Sequence, residues 1–135
     1  MNRRFIAALC AGAAALATAV PAQSDPPTLR AVTYTVTTAN PVSADIYFRD
    51  VDPPNWADYS HNPYMFSPKV SVELGPDRPW VLRAALVDPD RWAMVSATSG
   101  RHPVDPMFRC ELAIDGVVVA TAEGAKGALC AIRHW

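Results

Sequence analysis

The chain has 135 residues, half of them hydrophobic, and a formal net charge of −1 at neutral pH. That length holds one domain. So even a charge balance excludes the strongly basic surface that nucleic acid or an anionic membrane would require.

Met-Asn-Arg3-Arg4 is followed by a sixteen-residue Ala/Leu-rich run from Phe5 to Val20 and then by Val20-Pro21-Ala22 before Gln23. A positive start, a short apolar run and small residues at a cleavage site describe a helical secretory signal peptide. The run is short for a membrane span, which needs roughly 20 apolar residues. Cleavage is expected after Ala22, leaving a domain of residues 23–135 that is secreted, periplasmic or held in the cell envelope; an uncleaved membrane anchor is the alternative. Cys10 lacks the upstream pattern of a lipoprotein site, and the twin-arginine motif around Arg3-Arg4 is incomplete, so the general secretory route is expected. Losing Arg3 and Arg4 takes the charge from −1 to −3, because no acid precedes Asp25.

After Asp25-Pro26-Pro27, residues 31–37 alternate cleanly and predict a half-buried strand. Asn40-Pro41 turns the chain into a second strand over 42–49. Further strands are predicted at 69–74, 80–87, 92–97, 108–114, 117–121 and 128–132, with Gly, Pro, Asp and Asn in nearly every gap. Trp80 and Trp92 fall in strand patterns and read as core. No segment of the mature chain predicts a helix. Seven or eight short strands with such turns predict an all-β, immunoglobulin-like β-sandwich.

Residues 50–68 break the rhythm as a Pro- and aromatic-rich insertion carrying Trp56, Tyr59, Tyr64, Met65 and Phe66. Loops this long are usually functional or disordered, and so many aromatics argue against disorder. Trp56, Tyr59, Tyr64 and Phe66 are therefore the candidate partner-binding residues, since aromatics supply contact area at low entropic cost. The competing reading folds them back as cover for a sheet edge or the open end of the core.

The strongest local signal is Ile114-Asp115-Gly116-Val117. Asp-Gly between β-branched flanks predicts a two-residue type I′ hairpin, which needs positive φ at both central residues. Plain pairing from that turn sets Leu112 opposite Val119 and Cys110 opposite Thr121, with Phe108, Cys110, Leu112, Ile114, Val117 and Val119 on one buried face. Once the leader is removed, Cys110 and Cys130 remain, export supplies an oxidising compartment, and one pairing exists. In a plain terminal meander their strands would be about 9.6 Å apart, whereas a disulfide needs Cα atoms roughly 5.5–6 Å apart. The last strand is therefore expected beside the 108–114 strand or facing it from the other sheet.

No catalytic signature is present: no G-x-S-x-G, H-E-x-x-H, Gly-rich phosphate loop or C-x-x-C. His61, His102 and His134 are scattered through turns and the terminus and read as exposed loop histidines. Asp50, Asp52 and Asp58 offer oxygens for Ca²⁺ but lack the Gly and terminal Glu of an EF-hand loop. The expectation is a protein that is not an enzyme and uses no cofactor or metal. An enzyme would need His61 or His102 to converge with Asp50 or Asp58 in a cleft.

The ordered set Val32-Thr33-Tyr34-Thr35-Val36-Thr37, Ala44-Asp45-Ile46-Tyr47-Phe48, Pro79-Trp80, Val95-Ser96-Ala97 and Cys110-Glu111-Leu112-Ala113-Ile114-Asp115-Gly116-Val117-Val118, with the later Cys130, resembles the extracytoplasmic domain of the mycobacterial MmpS family. These are small accessory proteins of the MmpL lipid and siderophore exporters. The resemblance implies a disulfide-bridged β-sandwich without enzymatic activity that supports a membrane transporter. Family members usually keep an uncleaved, stronger anchor, and the 50–68 insertion is a second difference from the pattern. The expected function is a secreted or envelope binding domain, an accessory to an exporter, whose partner is a membrane transporter or other envelope protein. The alternative is a soluble periplasmic carrier of an apolar ligand.

Overall fold

The computed structural model describes residues 27–133 together with Gly12 and Ala14, so the rest of the expected leader, its cleavage site and His134 lie outside the described residues. Eight strands form two antiparallel four-stranded sheets packed as a sandwich: β1 (Arg30–Thr38), β2 (Val42–Phe48), β3 (Lys69–Leu74), β4 (Trp80–Leu86), β5 (Met94–Thr98), β6 (Phe108–Ile114), β7 (Val117–Gly124) and β8 (Gly127–Ala131). One sheet has the order β4-β1-β6-β7 and the other β3-β2-β5-β8. This is the expected all-β sandwich class, with eight strands.

The alternation seen in the sequence selects the core. Val32, Tyr34 and Val36 of β1 face Val42, Ala44, Ile46 and Phe48 of β2, and Val95, Ala97, Phe108, Cys110 and Leu112 complete the layer. Burying a large apolar side chain is worth roughly 1.5–3 kcal/mol, and alternation places every second residue of these strands between the sheets. Cys110 on β6 and Cys130 on β8 belong to different sheets and are bonded across the sandwich, with Cα atoms 6.1 Å apart. The terminal meander is excluded, as the spacing argument requires.

Three local expectations are corrected. The 50–68 insertion contains a helix, α1 (Trp56–His61), and a 3-10 helix (Pro63–Phe66), and a second short helix, α2 (Pro89–Trp92), precedes β5. Both α-helices start on side-chain caps. Asn55 accepts from the Asp58 N–H at 2.8 Å, and Asp88 accepts from the Arg91 N–H at 3.3 Å with Pro89 following it. Asp-Pro before a short apolar stretch is an N-cap signal as well as a turn signal, so Trp92 ends α2 and β5 begins only at Met94.

The hairpin turn forms as expected, with Asp115 at φ 51° and Gly116 at φ 81°. Its register does not stay plain. A bulge between Leu112 and Ala113 sets Leu112 opposite Ala120 and Cys110 opposite Ala122, one residue beyond the expected partners. Val119 is the extra, unpaired residue of that bulge and Val117 sits beside the turn, and both are exposed rather than buried, while Ala120 and Ala122 of the same strand pack against the core. A bulge at a sheet edge twists the strand and disrupts further pairing.

Strand direction then gathers the loops. β1 runs from Arg30 to the far end, β2 returns, and the pairings Arg30–Leu86, Val32–Ile114, Phe48–Val95 and Met94–Ala131 place one set of strand ends together. This pole receives residues 27–29, the 50–68 insertion, α2, the Asp115-Gly116 turn and the residues that follow β8 up to Arg133.

Candidate functional site

The pole is organised by Arg49, the residue after β2. Alternation would leave an arginine at a strand end in solvent, yet Arg49 is fully buried. Its Nη1 donates to the Trp92 carbonyl at 2.9 Å and its Nη2 to Ser67 Oγ at 3.1 Å, while Nε reaches the Phe66 carbonyl at 3.4 Å. The guanidinium lies 4.6 Å from the ring centroid of Tyr59. Burial pulls the Arg49 pKa down, and Tyr59 and Tyr34 oppose that shift. One side chain thus ties β2, the end of the insertion and α2 together, with the planar fork that carbonyl and hydroxyl acceptors favour.

Tyr34 supports the same junction from inside the core. Its hydroxyl donates to the Arg49 carbonyl at 2.6 Å and accepts from the Met94 N–H at 3.3 Å. Burial pushes its pKa up to about 12, opposed by the Met94 N–H and the Arg49 charge. Asp52 accepts from the Val87 and Asp88 N–H groups at 2.8 Å each, pinning the start of the insertion to the approach to α2.

The four aromatic candidates divide. Trp56 and Tyr59 fold back: their rings lie 5.4 Å apart, Trp56 stacks on the buried Trp92 at 6.4 Å and 23°, and Tyr59 meets Trp92 edge-on at 5.4 Å. Arg133 sits over the outer ring, 4.2 Å from the Trp56 centroid. Tyr59 and Phe66 are half-buried, whereas Trp56 keeps 45% of its surface exposed. Tyr64 and its neighbour Met65 are 78% and 71% exposed, with Tyr64 leaning 6.5 Å from Tyr47 on the outer face of β2. Tyr59 therefore covers the core end, and Trp56, Tyr64 and Met65 present an apolar surface. Trp92 is core as expected, and Trp80 is half-buried against Phe48 at 5.5 Å.

Beside this surface an open groove of about 530 Å³ is lined by Pro54, Asp58, His61, Asn62, Met65 and Phe66. Helical spacing explains it: positions 56 and 59 share one face of α1, and 58 and 61 share the opposite face. Asp58 and His61 thus meet in one cleft, while His102 is at the far end with Nδ1 2.7 Å from the Val104 carbonyl. Asp50, Asp52 and Asp58 do not converge, and no group of three or more His, Cys, Asp or Glu comes together among the described residues. Among those residues, too, no helix is long and apolar enough to cross a membrane. The sequence singled out the aromatics, named Met65 beside them without making it a candidate and Asp52 only as a possible calcium oxygen, and did not mark Arg49. The Asp-Pro-Pro start of the insertion was a legible signal for Asp52, and nothing local marks Arg49 as buried.

The family described as the Rv2576c beta-sandwich domain matches residues 34–130 of this chain. The chain is also similar to uncharacterized protein Rv2576c of Mycobacterium tuberculosis (strain ATCC 25618 / H37Rv) and to uncharacterized protein Mb2606c of Mycobacterium bovis (strain ATCC BAA-935 / AF2122/97). Each is 36% identical over 104 residues, spanning 77% of this chain and 67% of the relative. The match runs from the hydrogen-bonded Tyr34, through Arg49 and the aromatic insertion, to the bridging Cys130, and the chain belongs to the Rv2576c β-sandwich domain family.

Proposed function

We propose that this protein is a non-enzymatic binding domain of the cell envelope that works through its aromatic pole as an accessory to a membrane exporter. The observation that carries the reading is the division of the insertion. Arg49 and Tyr59 clamp it to the sandwich, and this holds Trp56, Tyr64 and Met65 exposed on a rigid base. Exposed aromatics on a fixed scaffold are the usual anchors of protein interfaces, because little entropy is lost when they are covered. The resemblance to the MmpS accessory proteins supplies the exporter as the partner class, and the leader-like N-terminus supplies the envelope location.

Crosslinking in the native envelope followed by affinity capture tests the reading. An integral membrane transporter is expected with the wild-type chain and is expected to be lost with Trp56→Ala/Tyr64→Ala. Equal capture by both would reduce the aromatic pole to cover for the core. The intact mass of the exported protein reads its processing, and a mass that includes residues 1–22 would replace the freed domain with an anchored one.

A further inference from the structure

The charge around the α1 groove identifies the chemistry of what docks there, an inference that rests on the binding-domain reading and deepens it. Residues 50–68 carry Asp50, Asp52 and Asp58 and contain no Lys or Arg. The cations nearest in sequence are engaged elsewhere. Arg49 is buried among protein acceptors, and Lys69 lies 3.7 Å from Asp45. At the same pole Arg30 is bonded to Asp115 at 3.0 Å. The helix α2 adds Asp88 and Asp90 against Arg91 alone. Arg133 lies over Trp56, on the face of α1 opposite the groove, so the groove side carries the acid Asp58 beside His61 and Asn62, while the walls contributed by Pro54, Met65 and Phe66 are apolar. Asp58 stands on the rim, its carboxylate steadied by the Asn55 amide at 3.1 Å.

We propose that the groove receives an apolar side chain of a partner polypeptide whose neighbouring residue is Lys or Arg, the cation meeting Asp58 at the rim. A groove of about 530 Å³ accommodates a large aliphatic or aromatic side chain with part of its backbone. Complementary charge selects the partner and speeds encounter. An anionic lipid headgroup would meet like charge at the same rim, so the occupant is a protein segment.

The test uses the exported chain and acetyl-phenylalanyl-arginine amide as the probe, followed by amide shifts in two-dimensional NMR. Its twin with glutamate in place of arginine and vesicles of phosphatidylcholine with phosphatidylglycerol are run in parallel. Expected are shifts confined to residues 54–66 with the arginine probe. Binding should be about two- to fivefold weaker in Asp58→Asn, the size of an exposed ion pair, weaker again at high salt, and reduced in Met65→Ala. An equal response to the glutamate twin, shifts centred outside the groove, no response to the arginine probe, or vesicle binding would each overturn the inference. A wild-type chain that captures the transporter yet binds the arginine and glutamate probes equally would sink this inference alone. Loss of capture only in Trp56→Ala/Tyr64→Ala would leave the binding-domain reading standing.

Discussion

Replacing Arg49 tests whether one buried cation holds the pole together. Arg49→Met keeps most of the side-chain length but removes the donors to the Trp92 carbonyl and Ser67 Oγ, both buried bonds, and the weaker one to the Phe66 carbonyl. Each buried acceptor left without a partner costs about 1–3 kcal/mol, and losing the cation over the Tyr59 ring costs roughly another 1–2 kcal/mol. Burying a neutral thioether instead of a guanidinium recovers part of this, since desolvating a charge is itself costly. The net expectation is a loss of about 3 kcal/mol, a large share of the stability of a domain this size, about 5–15 kcal/mol. In urea that moves the unfolding midpoint down by roughly 1–3 M. Limited proteolysis of the folded variant should cut within residues 50–68 before any strand, because Tyr59 and Phe66 lose their tether. Arg49→Lys retains the charge without the planar fork and should fall between the two. An Arg49→Met midpoint within about 0.3 M of wild type, with an uncut insertion, would refute the claim that this side chain organises the site.

Reducing the cross-sheet bridge, or Cys110→Ala/Cys130→Ala, removes a closed loop of 20 residues and should cost roughly 3 kcal/mol on the chain-entropy model, read as a lower melting temperature with the β-sheet spectrum intact. Tyr34 is held neutral in the fold to about pH 12 by burial. Its folded pKa is raised, so its contribution is full below the unfolded value near 10 and is lost as pH rises through the folded one. Stability should therefore fall from about pH 10 upward in wild type, and Tyr34→Phe, less stable at neutral pH by roughly 1–2 kcal/mol, should show a flatter alkaline limb. The Asp115 carboxylate is held below its ordinary range by the Arg30 guanidinium and the Ala31 N–H. Its contribution is present above the unfolded value near 3.9 and is lost as pH falls through the lower folded value. Asp115→Asn should weaken the acid dependence of the unfolding midpoint below about pH 4, and unchanged acid curves would show that this pair contributes nothing measurable.

Much of the sandwich was legible because its causes are local. Alternation in Val32-Thr33-Tyr34-Thr35-Val36 and Phe108-Arg109-Cys110-Glu111-Leu112 selects both the strand and the face it buries. The Asp115-Gly116 pair selects the turn through positive φ. Strand ends were less legible at 92–97, where Asp88-Pro89 starts a helical turn that competes with the extended pattern of Trp92. The candidate site was legible as a list of aromatics and not as an arrangement. Which of Trp56, Tyr59, Tyr64 and Phe66 faces inward depends on Trp92 and Arg133, residues distant in the sequence.

By itself the sequence determined strand identity, the hairpin turn and a bridge that cannot close a meander, since periodicity, φ preference and Cα reach are properties of short segments and simple spacing. Tertiary structure alone decided the bulge in β7 and the exposure of Val117 and Val119 beside it, and the burial of Arg49. It also decided the placement of the insertion, α2 and Arg133 at one pole. These outcomes depend on what the opposite sheet covers and where buried acceptors are left to be satisfied, and both are set only when distant strands have packed.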